Sequence, residues 1–187
     1  SQIVAMANWW RRVSATEGSL VQQFRIVSLF DGEARPNGAV QLSGPPASSL
    51  FPRPGGEFLI RLADAVGSAE SGSPLIGATG ITAHRSSMGG HLAMAFAGIF
   101  GDQVQQAVAF NAPGFPDNAY VRNLFTGLGG VIPRVNDAKI VNVVSNEETD
   151  PEDSFNFIAG FPFGNFPGHR LNIPIEDQTL SDVPDAK

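Results

Sequence analysis

The chain contains no cysteine, which excludes disulfides and thiolate chemistry and turns attention to serine with histidine and carboxylate partners. One serine stands out by its setting. Thr79–Phe115 reads TGITAHRSSMGGHLAMAFAGIFGDQVQQAVAFNAPGF. A β-favouring run, Ile81–Ala83, meets a small, polar, glycine-rich turn at Ser86-Ser87-Met88-Gly89-Gly90. An apolar helical pattern follows from His91 to Phe100, and a second apolar run, Val104–Phe110, ends in Asn111-Ala112-Pro113-Gly114. The spacing predicts strand, sharp turn, helix and strand, with Ser87 at the turn. A serine held there can attack an acyl carbon if a base lies within hydrogen-bond reach and a carboxylate orients that base. The plain alternative is an ordinary β-α-β unit with a serine-rich turn.

The chain has three histidines, which makes the search for a base short. His84 lies on the entering strand and directs its side chain into the sheet's surroundings. His91 follows Ser87 by one helical turn and sits beside the turn. His169, in the segment Pro167-Gly168-His169-Arg170, is the one remote enough for the chain to fold back over the serine. The expected general base is therefore His169.

A serine at a strand-to-helix turn is the setting of the nucleophile elbow in α/β-hydrolases. The stretch Ser86-Ser87-Met88-Gly89-Gly90-His91-Leu92-Ala93 resembles the Gly-His-Ser-Leu-Gly-Gly-His-Leu-Ala stretch of class 3-type lipases and their bacterial relatives. One position departs: those lipases carry Gly two residues before the serine, and this chain carries Arg85. The resemblance covers Ile81–Phe115 well, Lys139–Asp177 loosely and the first 75 residues hardly at all. It implies an α/β-hydrolase-like fold, with a mostly parallel sheet and flanking helices. It also implies a serine esterase or lipase that cleaves carboxylic esters, chiefly lipid esters, through an acyl-enzyme.

In that family the order is serine, acid, histidine, with the acid on a loop after a strand. The β-rich run Lys139–Val144 is followed by Ser145-Asn146-Glu147-Glu148-Thr149-Asp150-Pro151, which resembles the Asn-x-x-Asp-Pro-Val loop of these lipases. Asp150 is the implied acid, with Asp153 and Glu148 as replacements. The same cluster also reads as a solvated turn. The backbone N–H of Met88 is the implied oxyanion donor, and the sequence offers no recognisable second one. The match at His91 implies a structural hydrogen-bonding role. Phe155–Phe166, with its five phenylalanines, suits an acyl pocket or transient contact with a lipid interface, and equally a packed loop.

Composition bounds the rest. A chain of 187 residues points to a single domain, and 42% hydrophobic with 16% charged residues is globular rather than disordered. A net charge of −6 argues against a nucleic-acid surface. Apolar runs are interrupted within about 12 residues, too soon for a membrane-spanning helix. No metal-ligand spacing and no phosphate-binding glycine loop occurs, so no cofactor is implied. The lack of cysteine fits a secreted bacterial protein.

Upstream, Ile3–Val13 has the stripe of an amphipathic helix, with Trp9 expected to pack under the sheet. Leu20–Leu29 fits strand and helix alike. The Gly- and Pro-rich residues 30–56 read as a long loop or flap. Phe58–Val66 is a short apolar segment with helical character, and Tyr120–Leu128 is a helix. Only one or two strands precede the elbow, so the sheet is expected to be incomplete on its N-terminal side. This favours a fragment that a partner chain completes. The rival class is a catalytically impaired hydrolase fold that serves as a binding or assembly module.

Overall fold

The computed structural model describes residues 1–30, 32–43, 54–62, 65–66, 77–146 and 167–174. Gln2–Val13 forms α1, in which Ile3, Val4, Ala7, Trp10 and Val13 recur at helical spacing and are buried. Trp10 meets Phe96 edge-on, with ring centroids 5.0 Å apart, and donates its indole N–H to Gln103 Oε1 at 2.6 Å. Trp9 is 56% exposed, which corrects the expectation that it packs under the sheet. Successive helical residues point about 100° apart, so only one of the two indoles can occupy the buried stripe.

Short strands follow: β1 (Leu20–Val21), β2 (Phe24–Phe30), β3 (Val40–Ser43), β4 (Pro54–Arg61) and β5 (Ala65–Val66). β1 pairs with β5, and β2, β4 and β3 lie side by side in that order, every pairing antiparallel. Three expectations are corrected here. The first is that only one or two strands precede the turn at Ser87, where the described residues hold five before the strand that enters it. The long loop over 30–56 contains β3 and the start of β4, and the helical option for Phe58–Val66 gives way to strands. Leu42, Phe58 and Leu59 are buried, and it is their packing, together with pairing to β2, that selects the extended backbone. The middle of the proposed flap, 44–53, lies outside the described residues.

The second half builds a parallel sheet. Its elements are β6 (Ile81–Ser86), α2 (Ser87–Ile99), β7 (Val104–Phe110), α3 (Ala119–Gly127), β8 (Ile140–Asn146) and β9 (His169–Pro174). Strand order is β6-β7-β8-β9, with every neighbouring pair parallel. α2 crosses between β6 and β7, and α3 between β7 and β8, as parallel pairing requires. Asn118 caps α3 by accepting from the Val121 N–H at 2.9 Å.

Ala107, Ala109, Ile140 and Val144 are buried and share the face on which α2 packs. Gly90 allows that approach: a Cβ there would lie 2.7 Å from Ala112 Cβ and 2.8 Å from the Arg85 carbonyl oxygen. Phe110, Leu171 and Ile173 project from the opposite face and are 43%, 53% and 49% exposed. The protein is thus mixed α/β, a four-stranded parallel sheet with flanking helices joined to an antiparallel sheet. Among the described residues, no helix is long and apolar enough to cross a membrane.

Candidate active site

β6 ends at Ser86 in extended backbone, and α2 begins at the next residue. Between them Ser87 takes φ +52°, in the left-handed region. For a serine this costs about 1–2 kcal/mol and is held only by its surroundings. The side chain is exposed at the C-terminal end of the parallel sheet. Met88, the next residue, is also exposed, and Ser86 as N-cap makes no side-chain capping bond. The first-turn N–H groups of α2, Met88 among them, therefore face the end of the sheet at a helix terminus that favours negative charge.

Arg85 and Gly89 flank the serine two residues to either side. A Cβ on residue 89 would stand 2.9 Å from Arg85 Cβ and 3.2 Å from its Cγ. Side chains at both positions would force the strand end or the helix start to shift. The one present, Arg85, is exposed, with its aliphatic stem lying along Gly89.

His91 points back toward the strand ends. Its Nδ1 lies 3.0 Å from the Pro113 carbonyl oxygen, an acceptor that requires the proton on Nδ1. The ring packs on Phe115 with centroids 4.3 Å apart. His91 thereby ties the loop after β7 to the first turn of α2.

Asn111 is a residue that sequence reasoning passed over. Ser86 is level with Phe110 in the β6–β7 register. Asn111 therefore follows its strand just as Ser87 follows β6, about 5 Å away on the main chain. It too is left-handed, with φ +46°, and its N–H donates to the Val143 carbonyl at 2.8 Å. Asn is the non-glycine residue that adopts this backbone most readily. The Asn111-Ala112-Pro113-Gly114 turn signal was legible, whereas its closeness to Ser87 depends on strand register.

His169 is not brought to the serine. The register aligns Ser86 with Phe110, Val143 and Leu171, whereas His169 aligns with Val141, Val108 and His84. It therefore sits at the start of β9, three strand spacings across and two residues down, about 16 Å from Ser86 on the main chain. That exceeds the span of an imidazole and a serine, so the expectation that His169 folds back over Ser87 is corrected. Among the described residues, no hydrogen bond joins Ser87 to any histidine. Asp150, with its replacements Glu148 and Asp153, and the phenylalanine-rich Phe155–Phe166 lie outside the described residues. Among the described residues, no cluster of His, Asp or Glu could hold a metal ion.

Comparison with protein-family models, with curated proteins and with solved structures finds no match for this chain.

Proposed function

We propose that this protein is a serine hydrolase of the α/β-hydrolase type, which cleaves carboxylic esters, lipid esters foremost, through an acyl-enzyme. One observation carries the reading: an exposed serine in left-handed backbone between a parallel strand and a helix. In this reading Ser87 Oγ attacks the ester carbonyl and its proton passes to an imidazole. The oxyanion forms beside the Met88 N–H, the alcohol leaves with the proton, and water then hydrolyses the acyl group. Asp150 orients the imidazole, as the resemblance implies. The exposed Phe110, Leu171 and Ile173 offer apolar surface for contact with a lipid interface. Such an enzyme fits a secreted protein of a bacterium.

A fluorophosphonate probe with mass-spectrometric mapping tests the reading. The expected result is labelling at Ser87, abolished in Ser87→Ala. The base is named by running His84→Ala, His91→Ala and His169→Ala beside it: the variant that abolishes labelling while remaining folded has lost it. No labelling of a folded sample would sink the hydrolase reading for this chain alone.

A second reading has its own support. Among the described residues β6 is the outermost strand of its sheet, and the face bearing Phe110, Leu171 and Ile173 is uncovered. Together with the distance of His169, this favours a hydrolase-fold module that works only when a partner chain completes it. A monomer by light scattering that labels at Ser87 rejects this reading; labelling confined to a complex supports it.

A further inference from the structure

Away from the elbow, Phe24 has an arginine on its ring and another opposite it across the sheet. Phe24 of β2 faces Arg61 of β4 directly across the antiparallel pair, so their side chains share a face of that sheet. From α1, Arg11 lays its guanidinium over the same ring, 4.6 Å from the centroid. Its Nη2 donates to the Leu128 carbonyl at 2.5 Å, but its Nη1 is buried without a partner among the described residues. Arg61 donates Nε and Nη1 to the Gln22 amide oxygen at 3.1 and 3.3 Å, with that amide oriented to accept. Among the described residues, neither guanidinium has a carboxylate partner.

Burial, and then the neighbouring Arg61 charge, pulls the Arg11 guanidinium below its ordinary pKa. Two neighbouring cations with no carboxylate beside them among the described residues are unusual in a chain of net charge −6. A buried donor left unpaired is costly, and an anion would remove that cost.

Beside them is a cavity of about 620 Å³ lined by Phe24, Val40, Leu59, Arg61, Asn37 and Thr126. Its size is ordinary for a small-molecule site. Phe24 and Arg61 belong both to its wall and to the arginine cluster. Arg11 also lies 5.6 Å from the Phe100 ring, just beyond the C-terminal end of α2. The 13 residues of α2 thus separate this site from Ser87 by about 20 Å.

We propose that this cavity binds a carboxylate bearing an aliphatic tail. The carboxylate lies between Arg61 and Arg11, where guanidinium forks match its geometry. The tail lies on Phe24, Val40 and Leu59. Ester hydrolysis releases ligands of this chemistry, so under the reading above the site would let a product act back on the enzyme from a distance.

The test titrates the full chain carrying Ser87→Ala with octanoate and with octanamide, its neutral counterpart, by isothermal calorimetry. Octanoate is expected to bind one to one and at least about tenfold tighter than the amide. Arg61→Gln is expected to weaken octanoate about tenfold or more, and Arg61→Lys to weaken it less. Both variants should melt within about 2 °C of the parent without ligand, so that lost binding is not lost folding. Arg11→Gln is the poorer probe, because it also removes the bond to Leu128. Equal binding of acid and amide, full affinity in Arg61→Gln, or no octanoate binding would each overturn the proposal and leave Arg11 as a helix-end cap. With Ser87 removed throughout, the outcome is independent of whether the elbow is catalytic.

Discussion

Gly89→Ala is the substitution for which the elbow geometry makes the sharpest demand. The added Cβ would stand 2.9 Å from Arg85 Cβ and 3.2 Å from Arg85 Cγ. Cγ can swing away, but Cβ is fixed to the β6 backbone, so the strand end or the helix start must shift. Overpacking of this kind costs about 1–3 kcal/mol, and the better helix propensity of alanine offsets roughly 0.5–1 kcal/mol of it. The net expectation is a loss of about 1–2 kcal/mol, or a fall in Tm of about 2–8 °C for a chain of this length. Urea unfolding followed by tryptophan fluorescence reads it, since the buried Trp10 reports on the core.

The decisive comparison is between two partners for Gly89→Ala. Arg85→Gly deletes both close atoms, whereas Arg85→Ala keeps the nearer one. The double variant with glycine should therefore recover about 1 kcal/mol or more relative to additivity, and the double variant with alanine much less. If both doubles are additive within about 0.5 kcal/mol, or if Gly89→Ala alone is as stable as the parent, positions 85 and 89 do not compete for one space. The tight-elbow description would then be wrong.

Three further outcomes follow from single observations. Ser87→Gly should raise stability by about 1 kcal/mol, because glycine adopts the φ of +52° without the penalty serine bears; a thermal melt in which Ser87→Gly is no more stable than Ser87→Ala would show that no strain is stored there. Asn142 is fully buried in β8, with Nδ2 donating to the Ala112 carbonyl at a long 3.4 Å and Oδ1 without a partner among the described residues. Asn142→Leu should therefore be neutral or stabilising by about 1 kcal/mol in urea, and a clear loss would mean the amide has a role in the fold. Burial, and then Glu57, raises the pKa of Tyr120 above its ordinary value of 10.0. A raised folded-state pKa gives stability that is complete below pH 10.0 and lost as pH rises through the folded value. The urea midpoint of the parent should fall more than that of Tyr120→Phe between about pH 9 and about pH 11, and parallel curves would refute the assignment.

What was legible in the sequence was local. The stripe through Ile3, Val4, Ala7, Trp10 and Val13 and the strand-turn-helix punctuation around Ser87 each depend on residues within a few turns of one another. The antiparallel sheet was not legible, because β2 is defined by partners such as Arg61 opposite Phe24, far along the chain. Val21, Phe24 and Val27 fit a helix face as well as a strand until that pairing is known. His169 failed for the same reason: remoteness in sequence suggested that it could fold back over Ser87. Its actual level is set by pairing with Val141 and by the Gly168 N–H bonded to the Arg134 carbonyl at 2.9 Å.

Arg85 shows the limit of reading a motif one position at a time. The family pattern sets glycine two residues before the serine, so Arg85 stands out as a violation. The structure constrains a pair of positions instead: a Cβ at residue 89 would enter the volume that the Arg85 stem occupies. With Gly89 present, the arginine stem fills the space and its charge faces outward. A substitution that looks disabling by pattern is therefore compatible with the same turn by volume, and the double variants at 85 and 89 measure whether that exchange is real.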